Sequence, residues 1–264
     1  MNKQPIGIFD SGVGGLTVLR EIQKLMPDES FIYLGDGQNA PYGTKTKREI
    51  QNLSTRNVDF LLEKECKLIV VACNTATTQV IEFLRSKYSV LFVGIEPAIK
   101  PAALQSKTKS VGVLATHGTI HSALFNETKE RFGSHVNVTM QVGTGLVPMI
   151  ENNQVDSQEM RELLQKLLQP MIESNADFIV LGCTHYPLIK TQISKLYPYP
   201  VSIIDSSYAV AKRVEHLVSL KKMQSSSKNA RQIHYFTTGN PKKMDAFIEL
   251  LELPKHRNSK KITF

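Results

Sequence analysis

Several features of membrane, secreted and disulfide-rich proteins are missing from this chain of 264 residues. Its apolar runs stop well short of the ~18 unbroken apolar residues that a membrane-spanning helix needs. The N-terminal segment has no signal-peptide core, because its apolar stretch ends at Asp10. The three cysteines are too few for a disulfide framework and include no C-x-x-C pair. We therefore expect a protein of the reducing cytoplasm with no membrane partner.

Cations are missing from the polar turns that follow the apolar runs. No Lys or Arg occurs in FDSGVGG, NAPYG, ACNTATT, ATHGT or GCTHYP. Such turns offer hydroxyl, amide and backbone N–H groups, which suit a small carboxylate ligand. The spacings of cysteine and histidine match no structural zinc site. GVGG lacks both the Walker lysine and the G-x-G-x-x-G spacing, and no motif lysine is placed to hold pyridoxal phosphate. We expect neither a metal nor an organic cofactor.

The net charge of +8 comes from one part of the chain. Residues 1–207 carry equal numbers of acidic and basic side chains, whereas residues 208–264 carry twelve Lys or Arg and four Asp or Glu. Many of these charges flank polar loops, which is typical of a solvated face. A nucleic-acid surface usually interleaves basic with aromatic residues. We expect no specific nucleic-acid partner.

Short apolar runs alternate with helical patterns along the chain, such as a helix predicted over Ile120–Phe132. This alternation predicts an α/β fold built on mostly parallel sheets flanked by helices. The stretch IGIFDSGVGGL resembles VGVLATHGTI, and the two cysteine-containing stretches resemble each other. We therefore predict two similar lobes, one formed by residues 1–97 with 208–264 and the other by residues 98–207.

Two cysteines each follow an apolar run and precede a polar turn. Cys73 follows Leu68–Ala72, and Cys183 follows Phe178–Gly182. Runs of this length, rich in Ile and Val, are typical of buried parallel strands. Ligands of open α/β sheets bind beyond the carboxyl ends of such strands. A thiol at each of two sheet edges favours chemistry in which one group donates a proton and the other accepts one.

The neighbours of the thiols suit proton transfer but also have structural interpretations. Cys73 precedes Asn74 and the start of a helix, where a thiolate is favoured, although a buried cysteine can act as a small hydrophobe. Asp10 is either a proton carrier or the N-cap of the next helix. His185 is either a general acid or a structural histidine. Cys66 has no comparable setting.

The motifs IGIFDSGVGGL, PYG, VVACNTATT, VGVLATHGTI and LGCTHYPLI resemble, in this order, those of the glutamate racemases in the cofactor-independent aspartate/glutamate racemase superfamily. The resemblance implies a homodimer whose two α/β lobes hold glutamate in the cleft between them. Cys73 and Cys183 would convert L-glutamate to D-glutamate for peptidoglycan precursor synthesis by two-base proton transfer, assisted by Asp10 and His185. The substrate-binding residues that the resemblance implies are Asp10, Ser11, Tyr42, Gly43, Asn74, Thr75, Thr116, Thr184 and His185.

The resemblance has one further match and one departure. Glu151 matches an acidic residue of the family near the second thiol, whereas Gly37–Ala40 replaces a Thr-Ala-Arg type of stretch before PYG. Asp36, just before this loop, is an alternative ribose contact in a nucleotide-binding interpretation. Because the chain starts almost at its first strand, we expect it to lack the N-terminal extension with which some members bind a cell-wall precursor activator.

Two alternative functions follow from the same residues. A different member of the superfamily would act on aspartate or another small carboxylate, as a racemase, a decarboxylase or a cis–trans isomerase. A more distant alternative is a two-lobed binding protein or a nucleotide-dependent enzyme. Exchange of the α-proton into D₂O without added cofactor separates these classes.

Overall fold

A computed structural model describes residues 4–225, 232–255 and 258–264 of the chain. The chain divides into two compact units, Met1–Ile95 with Ser207–Phe264 and Glu96–Ser206. In chain order the elements are β1 Ile6–Asp10, α1 Leu16–Leu25, β2 Phe31–Gly35, α2 Lys47–Glu63, β3 Leu68–Val71, α3 Asn74–Lys87, β4 Leu91–Gly94, α4 Ile99–Gln105, β5 Ser110–Ala115, α5 His117–Ile120, α6 Ala123–Gly133, β6 Asn137–Val142, α7 Leu146–Glu151, α8 Gln158–Glu173, β7 Phe178–Gly182, α9 Lys190–Leu196, β8 Ser202–Ile204, α10 Ser207–Leu220, β9 Ile233–Thr237, α11 Pro241–Leu250 and β10 Lys260–Lys261.

The first unit contains a six-stranded parallel sheet in the order β10-β9-β2-β1-β3-β4. Strand β1 is paired on both edges, and all five of its residues are buried. A strand covered on both faces has no solvent side, which explains its unbroken apolar sequence. Helix α1 packs on α10, and α2 packs on α3. The segment after Ser207 returns to this sheet, because β9 pairs with β2.

The second unit contains a four-stranded parallel sheet in the order β6-β5-β7-β8. Its core gathers Val111 and Val113 of β5, Val180 of β7 and Phe125 of α6. Helix α8 lies close to the sheet, since a Cβ added at Gly112 would come within 2.6 Å of a methionine sulfur in that helix. This helix begins at a sequence-encoded cap, in which the Ser157 hydroxyl accepts a hydrogen bond from the Met160 N–H at 3.1 Å.

The predicted α/β class with parallel sheets flanked by helices is confirmed. The predicted helix over Ile120–Phe132 is confirmed as α6 but begins at Ala123, because the Ser122 hydroxyl accepts from the Phe125 N–H at 3.2 Å and caps the helix there. Ile120 is instead the last residue of the short helix α5. The short helices α4 and α7 and the two-residue strand β10 were not predicted from the sequence. No helix within the described ranges has the length and apolar character needed to cross a membrane.

Candidate active site

Asp10 and Cys73 lie at the same edge of the first sheet. Asp10 ends β1, and Cys73 follows its parallel neighbour β3 after a single alanine. The Asp10 side chain is fully buried, and its Oδ2 accepts the backbone N–H groups of Gly12 and Gly15, each at 3.1 Å. A Cβ on Gly15 would come within 2.6 Å of the Asp10 Cβ, so the turn before α1 needs glycine there. This turn holds the carboxylate rigidly at the sheet edge.

Cys73 is the N-cap of α3. Its Sγ accepts from the Ala76 N–H at 3.4 Å and contacts the Ser11 Oγ at 3.6 Å. The helix therefore begins at Asn74, directly after the thiol, in agreement with the expected setting of Cys73. The partial positive charge of this 14-residue helix is directed at the sulfur, which favours the thiolate over the thiol.

Asn74 carries a buried oxygen whose partner is missing. Its side chain is buried, and within the described part of the chain its Oδ1 meets no hydrogen-bond donor. Buried polar atoms nearly always have a partner, so such an atom at the edge of a sheet needs an explanation. This oxygen lies on the residue that directly follows Cys73 at the edge of the first sheet.

The loop between β2 and α2 holds Tyr42 through a buried carboxylate. The Tyr42 hydroxyl donates to Asp36 Oδ2 at 2.5 Å and accepts from the Asn57 amide at 3.1 Å. Burial, followed by the neighbouring Asp36 charge, raises the pKa of Tyr42 well above its ordinary value, so the phenol stays neutral. Gly43 is buried beside it in a short 3₁₀-helix.

Asp36 was considered from the sequence only as a ribose contact, and its place in this network was missed. The place of Asp36 could have been inferred from its position after a strand. Because β2 is the parallel neighbour of β1, Asp36 follows β2 at the sheet edge that Asp10 occupies.

At the edge of the second sheet, Thr116 and Cys183 follow the paired strands β5 and β7. The Thr116 hydroxyl caps α5 by accepting from the Thr119 N–H at 3.3 Å. Cys183 and Thr184 are both buried. The parallel pairing therefore brings these three predicted residues of the second unit to one sheet edge.

Cys183 leads into a chain of ionisable groups. Its Sγ lies 3.8 Å from His185 Nδ1, and His185 Nε2 lies 3.0 Å from Glu151 Oε1. Burial alone would lower the pKa of His185, but its contacts with Cys183 and Glu151 raise that pKa to about 10. These contacts favour the imidazolium form of His185, which lies next to Cys183 and is oriented by a carboxylate. Glu151 reaches this position from the last turn of α7.

Tyr186 is a buried neighbour of Cys183 that the sequence did not single out. Its hydroxyl donates to the Gly143 carbonyl at 3.2 Å. Burial, followed by the nearby Cys183 charge, raises the pKa of Tyr186 well above its ordinary value. The phenol thus stays neutral at physiological pH.

The third cysteine, Cys66, is in a different environment. It is buried in the first unit, where burial raises the pKa of its thiol to about 12. All three cysteines are free thiols. In the ranges that the structure describes, no group of three or more His, Cys, Asp or Glu side chains is arranged to hold a metal ion.

Comparison with known proteins identifies the family. Residues 8–214 match the family model described as Asp/Glu/Hydantoin racemase. The chain is 40% identical to the glutamate racemase of Herpetosiphon aurantiacus over 253 residues, which cover 96% of this chain and 100% of the relative. The crystal structure of the RacE1 isoform of glutamate racemase from Bacillus anthracis superposes with a TM-score of 0.89 at 30% identity, covering 100% of this chain and 98% of that one.

A second crystal structure, that of Escherichia coli glutamate racemase in complex with L-glutamate and the activator UDP-MurNAc-ala, superposes with a TM-score of 0.86 at 31% identity and covers 98% of each chain. The chain therefore belongs to the Asp/Glu/hydantoin racemase family and, within it, groups with the glutamate racemases, which are isomerases.

Proposed function

We propose that this protein interconverts L- and D-glutamate without a cofactor, by proton transfer between Cys73, Cys183 and the α-carbon of the substrate. The observation that carries the proposal is that each thiol follows a parallel strand at the ligand-binding edge of its own sheet and has its own polar partner. One thiolate removes the α-proton, and the other thiol delivers a proton to the opposite face of the carbon. The reverse reaction exchanges the two roles.

The two thiols would be served by different proton partners. On the first sheet, the fixed Asp10 carboxylate lies at the edge where Cys73 follows β3. On the second sheet, the His185 imidazolium is close enough to stabilise a Cys183 thiolate or to replace its proton. An α-proton of an amino acid is far less acidic than a thiol. The carbanion-like state therefore needs strong stabilisation by fixed dipoles in a site from which water is excluded.

The remaining predicted residues would hold the substrate. The unpaired Asn74 Oδ1 suits the substrate ammonium group, and the buried hydroxyls of Ser11, Thr75 and Thr184 suit its carboxylates. Thr116 is half-buried and would contribute from the second sheet. Because its hydroxyl is already occupied by Asp36 and Asn57, Tyr42 would act with Gly43 through main-chain groups.

Glutamate is favoured over other small carboxylates because the relatives with high identity are glutamate racemases and the Escherichia coli structure was determined with L-glutamate. A racemase or isomerase of the same family acting on aspartate is the second candidate. The two differ by one methylene group, which typically changes specificity about 10–200-fold. Comparing kcat/KM for the two L-amino acids decides between them.

The cellular role that we propose is the supply of D-glutamate for peptidoglycan precursors in the cytoplasm. Both active thiols must be reduced to act, which agrees with the three free cysteines and with a reducing compartment. The predicted homodimer is a separate question, which light scattering of the purified protein answers.

The decisive experiment is incubation of the dialysed protein with L-glutamate in D₂O. We expect deuterium at the α-carbon together with D-glutamate, detected by NMR and by chiral chromatography. Exchange that persists in the presence of a chelator and an aldehyde-trapping reagent supports a mechanism without metal or pyridoxal phosphate. Absence of both exchange and D-glutamate contradicts the proposal, and tight nucleotide binding in its place would favour the more distant alternative.

A further inference from the structure

Thr237 at the end of β9 and the residues that follow it, 238–240, are packed against the loop that carries Tyr42. Thr238 and the neighbouring Thr237 are both buried. The Thr238 N–H donates to the Gly35 carbonyl at 3.1 Å, which extends the pairing of β9 with β2 by one bond. The contact thus joins a residue near the C-terminus to a loop about 200 positions earlier in the chain.

In this contact the Thr238 hydroxyl is hydrogen-bonded both as a donor and as an acceptor. The Thr238 hydroxyl donates to Asp36 Oδ1 at 2.7 Å and accepts from the Gln38 N–H at 3.1 Å. Asp36 is completely buried and also accepts from the Tyr42 hydroxyl at 2.5 Å and from the Asn39 amide at 2.9 Å. One carboxylate therefore connects Thr238 with two residues of the loop.

The backbones also approach closely at this point. A Cβ on Gly239 would come within 3.0 Å of the Gly37 Cα, so the two glycines allow the chains to touch. Gly37 lies in the stretch Gly37–Ala40, where the sequence departs from the pattern of its family. The loop that differs in sequence is thus the one held by the C-terminal segment.

We propose that Thr238 is a positioning residue for the substrate, acting through Asp36 to fix Tyr42 and Gly43. Three properties support this role. The Asp36, Tyr42 and Thr238 side chains are buried, so the bonds of the two hydroxyls to the carboxylate are strong and are not replaced by solvent. Thr238 satisfies two partners at once, and removing its hydroxyl leaves an Asp36 oxygen and the Gln38 N–H without it. The Tyr42 end of the network is at the site proposed for glutamate. The inference therefore rests on the proposed function.

The test compares Thr238→Val with Thr238→Ser. Valine has the shape of threonine but lacks the hydroxyl, whereas serine keeps the hydroxyl. For Thr238→Val we expect KM for L-glutamate to rise about tenfold, the size expected when a hydrogen bond to a charged acceptor is lost. We expect kcat to change by less than about twofold, because the loop binds substrate and transition state alike. Thr238→Ser should restore KM to within about twofold of the parent value.

A double-mutant cycle with Tyr42→Phe tests the route through Asp36. If Thr238 acts by way of the Tyr42 hydroxyl, Thr238→Val should add little to the KM of the Tyr42→Phe variant. Additive effects on KM would overturn the inference. So would an unchanged KM in Thr238→Val, even with a lower Tm, because that result describes a residue with a structural role alone.

A substitute variant and the activity of the parent protein make every outcome of the test interpretable. Should the valine variant not fold, Thr238→Ala removes the same hydroxyl without the second methyl branch, and the same KM values decide. Parent protein that fails to racemise glutamate refutes the proposed function, whereas an active parent with an unaffected Thr238→Val variant refutes only this inference.

Discussion

Cys73 and Cys183 each follow a buried parallel strand, yet the backbone after them takes different courses. After Cys73 an α-helix of 14 residues begins at once, and the sulfur itself accepts a hydrogen bond from its first turn. After Cys183 the chain forms a bend and then a 3₁₀-helix at Tyr186–Ile189, before α9 begins. The Cys73 sulfur therefore contacts a backbone N–H at a helix N-terminus, whereas the Cys183 sulfur lies beside the His185–Glu151 pair.

This difference indicates how two strand ends of similar sequence acquire different chemistry. A helix N-terminus stabilises a thiolate without exchanging protons. An imidazolium does both, because it can give up its proton. On the first sheet the titratable partner is instead the Asp10 carboxylate, held by Gly12 and Gly15. In the proposed proton transfer, Cys73 would therefore have a carboxylate as its titratable partner and Cys183 would have an imidazolium.

The largest expected effect comes from the thiols themselves. Cys73→Ser and Cys183→Ser should each lower racemisation about 10³-fold or more, because a serine hydroxyl is a far weaker acid and base than a thiol. Each variant should still exchange the α-proton of one enantiomer, and the two variants should retain opposite enantiomers. Exchange of L- and D-glutamate in D₂O, followed separately by NMR, measures this.

Cys66→Ala is the matched control, since the Cys66 thiol is buried and its raised pKa of about 12 keeps it neutral. We expect racemisation by this variant to match that of the parent. Single Cys73 and Cys183 variants that racemise at nearly the parent rate would refute the two-thiol assignment.

The proton partners should give the next largest effect and should separate the two sides. Asp10→Asn keeps an oxygen that can accept from Gly12 and Gly15, so we expect Tm to change little while kcat falls about 10²-fold. His185→Asn removes the imidazolium beside Cys183 and should lower kcat by a similar amount, about 10²-fold. The two variants should affect exchange of opposite enantiomers. Loss of exchange with the same enantiomer in both would show that the two residues serve one thiol.

Much of this arrangement was predictable from the sequence, because the change from an apolar run to a polar turn shows where each buried strand ends. The unbroken apolar runs before Asp10, Cys73 and Cys183 predict buried parallel strands, and parallel strands bring their carboxyl ends to one edge. The family motifs then identified Ser11, Asn74 and the other proposed substrate contacts, whose roles stay predictions. Asn240 followed by Pro241 also matches the sequence pattern of a helix start, and the Asn240 side chain caps α11 by accepting from the Lys242 N–H at 3.0 Å.

The rest depends on contacts between distant parts of the chain. Nothing local in the sequence pairs Asp36 with Thr238, because the contact exists only once β9 has joined β2. The sequence does not predict the helix α7, because this helix is only six residues long, follows Gly145 in a left-handed conformation and contains a proline. Without that helix, the position of Glu151 beside His185 could be inferred only from the resemblance.

Glu151→Gln should have a smaller effect and a characteristic pH dependence. The Glu151 carboxylate helps to hold the pKa of His185 at about 10, so the amide should lower that pKa toward its ordinary value. We expect kcat to fall about tenfold at neutral pH, and the alkaline limb of the kcat profile to move to lower pH. A profile with an unchanged alkaline limb would show that His185 protonation does not control the reaction.

The contact between His185 and Glu151 should also make the free energy of unfolding depend on pH. Because folding raises the pKa of His185, its contribution is fully present below the ordinary pKa of about 6.5. That contribution is lost as the pH rises through about 10. The free energy of unfolding of the parent should therefore exceed that of Glu151→Gln at pH 6 and approach it above pH 10, as measured by urea denaturation.

The smallest expected effect tests whether the side-chain contact to the Cys73 sulfur matters. Ser11 Oγ lies 3.6 Å from Cys73 Sγ, a long contact beside the backbone bond that the sulfur accepts from Ala76. We expect Ser11→Ala to lower kcat only about threefold, the size of a weak neutral hydrogen bond, whereas the loss of its proposed contact with the substrate carboxylate should appear in KM. A loss comparable to that of His185→Asn would mean that Ser11, rather than the helix N-terminus, controls the state of the Cys73 thiol. The Cys73 sulfur would then depend on a side-chain contact just as the Cys183 sulfur does, and this contrast between the two thiols would disappear.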